Sequence, residues 1–120
     1  MIKKTECISK WASTKVTRLT VIANDGDGKI QVDLLEDHEE YGKTAFIWDL
    51  FVKPECRRKG LAKELMNYAL QRARDFGYNT ATLEWAKTDS TLETLAWYSR
   101  LGFTETEFSN TYSLMVKQHL

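Results

Sequence analysis

One proline and six glycines in 120 residues leave few points at which regular elements must break, and they exclude a collagen-like or proline-rich disordered chain. Two cysteines, Cys7 and Cys56, are too few for the disulfide framework of a small secreted domain, so both are read as free thiols. No apolar run approaches the roughly 18 to 20 residues that span a bilayer. Met1-Ile2-Lys3-Lys4 leads into polar sequence rather than a signal-type apolar core, so a cytoplasmic location and no membrane partner are expected. Charge of one sign is missing too. Seventeen basic and seventeen acidic residues cancel, so no global field draws nucleic acid or anionic lipid, and a basic site has to be local. One such cluster runs from Lys53 to Lys63. What remains, 42% hydrophobic and 28% charged residues with 12% aromatic, suits one buried core and a single domain over residues 1–120.

The pattern along the chain predicts an α/β (α+β) architecture. Val16 to Asn24 alternates in the manner of a strand, Asn24-Asp25-Gly26-Asp27-Gly28 supplies residues that tolerate positive φ, and Lys29 to Leu35 completes a hairpin. Glu36 to Lys43 reads as a loop. Thr44 to Val52 is a nearly continuous apolar run, which suggests a central strand covered on both faces. Pro54 ends it, because proline cannot donate to the ladder and holds Lys53 extended. From Arg58 the period becomes helical: Leu61, Leu65, Tyr68, Ala69, Ala73 and Phe76 form one stripe, and Gly77 follows as a left-handed stop. Tyr78 to Ala86 reads as a strand. Ser90 to Leu101 reads as a second helix with Asp89 or Ser90 as its N-cap and Gly102 as its stop. Phe103 to Phe108 and Tyr112 to Gln118 close as a strand pair. The unit from residue 44 to 86 implies parallel pairing through a right-handed crossover. Residues 1–15 carry no assignment.

Two segments carry chemistry. At the start of the first helix, Arg57-Arg58-Lys59-Gly60-Leu61-Ala62 joins unpaired backbone N–H groups to permanent positive charge and to a glycine that admits close approach. The segment reads either as a polyphosphate cradle or as a solvated basic turn. Ala96-Trp97-Tyr98-Ser99-Arg100-Leu101-Gly102-Phe103 ends the second helix in paired aromatics. Tyr98 reads either as a core aromatic or as a hydroxyl facing a crevice at the sheet's C-terminal edge.

Together these segments resemble the GNAT superfamily of acetyl-CoA-dependent N-acetyltransferases over roughly residues 44 to 108. Leu50 to Ala62 is similar to that family's central strand and its pyrophosphate loop, Arg/Gln-x-x-Gly-x-Gly/Ala. Trp97 to Phe103 is similar to its second signature, an aromatic-Tyr pair followed by Leu-Gly-Phe. The resemblance implies a mixed, mostly antiparallel sheet with a central parallel, splayed strand pair flanked by helices, its N-terminal part shortened. It implies acetyl-CoA as co-substrate, with backbone N–H groups of Arg58, Lys59, Gly60, Leu61 and Ala62 on the pyrophosphate and Arg57 opening the loop. It further implies that the backbone of Leu50 and Val52, with Phe51 between them, pairs with the pantetheine arm, and that Tyr98 is the general acid for the departing thiolate. Thr91 stands where the family often has asparagine, and Thr94 where it often has alanine; Thr91 is retained as a CoA contact. Residues before 16 look too few for the pair of helices that usually covers the acceptor, so that side is expected to be open or completed by a second subunit. Trp11, Tyr41 and Trp48, of uncertain burial, leave room for a homodimer.

An amine has to lose a proton before it attacks a thioester, so a carboxylate, or a water held by one, is expected beside the splay. Asp49 and Glu84 are the candidates, and their surroundings weakly resemble those in spermidine/spermine N-acetyltransferases. Each also reads as a solvated strand charge. Asp25 to Glu36 fails as a calcium loop because Lys29 and Ile30 stand where a ligand and the turn glycine belong. His38 and His119 fall in no ligand-spaced cluster, so no metal is expected and both read as surface residues. Cys56, beside Arg57 and a helix start, sits where a thiolate is favoured. The reading as a whole is an enzyme acting on an amine; its rival is a non-catalytic acyl-CoA sensor on the same fold.

Overall fold

The turn chemistry after Ala23 sets the first hairpin: Asn24 and Asp25 take φ of 48° and 60°, and Gly26 takes 132°. The computed structural model describes residues 3–10, 16–87 and 91–120. Among them, seven strands, β1 (Lys4–Lys10), β2 (Val16–Ala23), β3 (Gly28–His38), β4 (Gly42–Val52), β5 (Thr80–Ala86), β6 (Thr104–Phe108) and β7 (Tyr112–Gln118), form one sheet in the order β1-β2-β3-β4-β5-β7-β6. All neighbours are antiparallel except β4 and β5. Two helices, α1 (Leu61–Asp75) and α2 (Leu92–Arg100), complete the described elements, with a 3-10 turn over Pro54–Cys56 between β4 and α1. This is the mixed, mostly antiparallel sheet expected, with its parallel pair at the centre.

Several boundaries differ from the sequence reading. Glu36 to Lys43 is not an open loop: β3 runs to His38 and pairs it with Gly42. The His38 Nδ1 accepts from the amides of Glu40 and Tyr41, so the turn is closed by a side chain that the sequence reading assigned to the surface. β1 had no expectation and forms because it pairs with β2 along its whole length. α1 starts at Leu61 rather than Arg58, since Arg58 and Gly60 both hold left-handed backbone, φ 63° and 81°. Its stripe is deeper than the period suggested, with Met66 and Leu70 also buried, whereas Phe76 is exposed and carries the Arg72 guanidinium over its ring. Gly77 is the left-handed stop, φ 88°. For α2, Asp89 and Ser90 lie outside the described residues, and the cap is Thr91, whose Oγ1 accepts from the Thr94 amide.

The core lies on one face of the sheet. Leu19, Val21, Ile30, Val32, Ala45 and Ile47 alternate onto the face that α1 covers, against Leu61, Leu65, Met66, Ala69 and Ala73. Gly28 lets the helix approach, since a Cβ there would meet Leu65 Cδ1 at 3.0 Å and Leu61 Cδ2 at 3.2 Å. The register Ala45 to Ala81 puts Ala81, Leu83 and Trp85 on the same face, and the Trp85 indole donates to the Thr91 carbonyl at the start of α2. The opposite face is only partly covered, so β4 is not doubly buried along its whole length: Thr44, Thr82 and Val116 are buried there, whereas Arg18, Gln31, Asp33, Phe46 and Trp48 are half-buried. Arg18 pairs with Asp33 at 2.7 Å and lies over the Trp48 ring at 4.6 Å. An apolar run in β4 therefore meets a mixed apolar and ionic face. Trp11, whose burial the sequence leaves open, lies outside the described residues.

β1, an edge strand with mostly exposed side chains, is tied to α1 through the Lys4–Glu64 pair at 3.0 Å and, more extensively, through the Glu6 carboxylate. Glu6 accepts from Arg72 Nε at 2.7 Å, from Arg72 Nη2 at 3.2 Å and from the Tyr68 hydroxyl at 2.9 Å. The Arg72 hydrogen bonds hold its carboxyl below the usual glutamate range, against the opposing effect of burial. A depressed folded pKa gives stability that is present above the ordinary glutamate value, about 4.3, and lost as pH falls through the folded value. Glu6→Ala is expected to cost about 1.5–3 kcal/mol in urea unfolding at neutral pH, and much less at pH 3, with amide exchange rising first along β1. An equal cost at both pH values would show that the carboxylate charge plays no part.

Candidate active site

The site begins where β4 and β5 part. They are joined through Ala45 to Ala81 and Phe46 to Thr82, and beyond these pairs the two strands diverge. Three residues further along β4, Asp49 sits at φ 54°, a left-handed backbone unusual for a residue inside a strand. Here the β3 to β4 register shifts, from Gln31 opposite Trp48 to Lys29 opposite Phe51. Asp49 and Leu50 thus oppose Ile30 alone, the signature of a β-bulge. Between the diverging strands lies a crevice of about 310 Å³ lined by Phe46, Trp48, Asp49, Leu50, Glu84 and Tyr98, with Ile47, Met66 and Leu83.

A second crevice, about 390 Å³, surrounds the start of α1 and is lined by Val52, Cys56, Arg57, Arg58, Gly60, Leu61, Ala62, Lys63 and Trp97. The first-turn amides of a helix have no intrahelical acceptor, and α1 has no side-chain cap on them. A Cβ at Gly60 would meet nothing within 4 Å, so the surface above these amides is open. Arg57 Nε donates to the Val52 carbonyl at 2.9 Å, which ties the loop back to the end of β4. A third space, about 270 Å³, shares Leu50 and Tyr98 with the first crevice and Val52, Arg57, Ala62 and Trp97 with the second. The three form one groove from the helix N-terminus to the split strands, with Tyr98 at the junction.

Most of the sequence-predicted residues come together along this groove. Asp49, Glu84 and Tyr98 line its split end, Leu50, Phe51 and Val52 its middle, and Arg57, Arg58, Gly60, Leu61 and Ala62 its basic end. Lys59 is exposed and lines none of the three spaces, and the Leu61 side chain is buried, which leaves only its backbone for a ligand. Thr91 stands apart: its Oγ1 caps α2, while Thr94, one turn on, faces the middle of the groove. Trp97, which the sequence reading used only as part of a signature, lines both the basic end and the middle. Its signal was the adjacent pair of aromatics, one of which has to face away from the core.

The electrostatics separate the candidates. Burial pushes the Tyr98 hydroxyl above the ordinary tyrosine value, so it keeps its proton, while its ring lies 5.4 Å from Trp97 and 6.4 Å from Phe103. Asp49 is held low, first by the hydrogen bond from Lys29 at 2.7 Å and then by that from Gln31 at 2.8 Å. Glu84 is exposed on the facing wall. Among the described residues no group of three or more His, Cys, Asp or Glu side chains is disposed to hold a metal, and Cys7 and Cys56 are free thiols. No described helix is long and apolar enough to cross a membrane.

A sheet split at one parallel pair, with uncapped helix N-terminal amides at one end of a groove and a protonated tyrosine where that groove meets the split, describes a cleft suited to an anionic ligand. Residues 20–103 match the model of the acetyltransferase (GNAT) family, and the chain belongs to that family. It is 40% identical over 64 residues to human N-acetyltransferase 8, a match that covers 53% of this chain and 27% of that protein. The chain thus spans about a quarter of that relative's length. Among solved structures, it is similar to an acetyltransferase from Bacillus subtilis in complex with CoA, with TM-score 0.69, 16% identity and full coverage of both chains at 100%. PaiA N-acetyltransferase from Thermoplasma acidophilum in complex with coenzyme A gives TM-score 0.67 and 20% identity over 84% of this chain and 59% of that one. A GNAT family acetyltransferase from Elizabethkingia anophelis with acetyl-CoA bound gives 0.68 and 12% over 98% and 97%. These three share the fold.

Proposed function

We propose that the chain is an N-acetyltransferase that moves the acetyl group of acetyl-CoA to a primary amine of a small molecule or protein by direct attack. The observation that carries this reading is Tyr98 at the junction of the split-strand crevice and the groove from the α1 N-terminus. The residues present fit acetyl-CoA: uncapped amides at Gly60 to Ala62, open space over Gly60, and Arg57, Arg58 and Lys63 nearby favour a pyrophosphate. Bound acetyl-CoA supplies the thioester carbon that the amine attacks. Leu50 and Val52 orient the pantetheine arm along β4 as an added strand would be oriented. Glu84, directly or through a water, takes the proton from the ammonium so that the amine can attack. Tyr98 gives its proton to the departing sulfur, and its raised pKa keeps that proton available throughout the neutral range. The half-buried sheet face around Phe46 and Trp48 leaves space for a second subunit, which sedimentation at assay concentration would report.

The test is CoA release from acetyl-CoA against a panel of primary amines. Release that depends on an amine supports the enzyme; tight acetyl-CoA binding with no release from any amine would favour an acyl-CoA sensor on the same fold. Within the active panel, Glu84→Gln is expected to lower kcat at pH 7 by roughly 10²-fold and to lessen the loss at higher pH, where more of the amine is already deprotonated. A pH-independent deficit would remove Glu84 from the proton path.

A further inference from the structure

Asp49 lines the crevice, yet its carboxylate is already engaged. Lys29 Nζ lies 2.7 Å and Gln31 Nε2 2.8 Å from the same oxygen, Oδ2, and both side chains come from β3 on either side of the point where two β4 residues oppose Ile30. The residue held this way has a backbone, φ 54°, that non-glycine residues avoid and that aspartate tolerates better than most. The consequence reaches beyond Asp49. Strand side chains alternate with a period of two, so straightening the bulge would slide Leu50, Phe51 and Val52 by one place and turn each to the other face. Val52, buried beside α1, would face outward, and Phe51, 46% exposed, would be driven inward.

We propose that Asp49 is a positioning residue: clamped by Lys29 and Gln31, it holds the bulge that presents Leu50 and Val52 to the groove, and it leaves Glu84 as the carboxylate that meets the acceptor's ammonium. Resting on the acetyltransferase reading, this also names an acceptor class. With Asp49 neutralised by Lys29, the crevice offers one uncommitted carboxylate among the lining side chains beside Phe46 and Trp48. It therefore fits an amine with a single positive charge on an apolar body better than a polycation.

Asp49→Gly, Asp49→Ala and Gln31→Leu separate the roles, with acetyl-CoA Kd from calorimetry and kcat and kcat/KM for phenethylamine and spermidine. Glycine accepts positive φ without a clamp, so Asp49→Gly is expected to retain at least tenfold more kcat than Asp49→Ala and a tighter acetyl-CoA Kd. Gln31→Leu, which leaves residue 49 unchanged, is expected to weaken acetyl-CoA several-fold. Phenethylamine is expected to exceed spermidine at least tenfold in kcat/KM. Equal losses in the glycine and alanine variants, or an unchanged Kd in Gln31→Leu, would overturn the positioning role; a preference for spermidine would overturn the acceptor class. Should wild-type protein release no CoA with any amine, the acetyltransferase reading and the acceptor class fall together, and the Kd comparison still decides what Asp49 does.

Discussion

Tyr98→Phe is expected to lower kcat by roughly 10²- to 10⁴-fold while leaving the Kd for acetyl-CoA within about twofold. The substitution removes one oxygen and keeps the ring, so the contacts with Trp97 and Phe103 survive and the groove keeps its shape. What disappears is a proton held where the crevice and groove meet. Because burial raises the hydroxyl's pKa, the protonated form persists at neutral pH, and any alkaline loss of rate due to Tyr98 should begin above about 10, the ordinary tyrosine value. Stability follows the same sign. A raised folded pKa favours the folded state below the unfolded value and loses that advantage as pH climbs through the folded one, so the phenylalanine variant should resist alkaline unfolding better than the wild type. Stopped-flow CoA release with calorimetry reads the first effect, and thermal melts between pH 8 and about 11 read the second. Equal kcat in both proteins would make Tyr98 a core aromatic with no chemical role.

Gly60→Glu is expected to abolish acetyl-CoA binding, a loss of at least roughly 100-fold, whereas Gly60→Ala should cost at most about 5- to 30-fold, the equivalent of the 1–2 kcal/mol for a left-handed non-glycine residue, a ceiling reached only if the unliganded loop relaxes out of that backbone. The contrast follows from the space around Gly60. A Cβ there clashes with nothing, so alanine brings only backbone strain at φ 81°. Glutamate adds a carboxylate at the uncapped amides of α1, in the place a phosphate would take, and repels the ligand's own charge. Glutamate carries the same left-handed strain, about 1–2 kcal/mol, against about 0.3–1 kcal/mol gained from an anion at the helix N-terminus, so a melting curve has to separate lost binding from a weakened loop. Calorimetry with a parallel melting curve checks both; unchanged affinity in Gly60→Glu would remove the pyrophosphate from this end of the groove.

Much of the groove was legible because its parts are local. The basic run ending in Gly60 marks a helix start that reads either as a phosphate cradle or as a solvated turn, and the period change after Pro54 marks the crossover to a parallel strand. The Trp97-Tyr98 pair before Leu-Gly-Phe points to Tyr98 through its resemblance to the family's second signature. Less legible was anything that depends on which residue lies across the sheet. Asp49 looks like one polar position in an apolar run; only the pairing with β3 reveals two residues opposite one and a carboxylate committed to Lys29 and Gln31. The capping role of Thr91, whose Oγ1 accepts from the Thr94 amide, was likewise not legible in the motif position that suggests a CoA contact.

The sequence by itself determined the order of the elements after β1 and the single parallel crossover, because helix stripes and turn residues depend on neighbours within a few positions. The tertiary structure decided what covers each face of β4, where the ladder bulges and which carboxylate is left to meet an amine. Those outcomes rest on contacts between β3 and β4 and between α1 and the sheet, and side chains far apart in the chain choose their partners only when the sheet assembles.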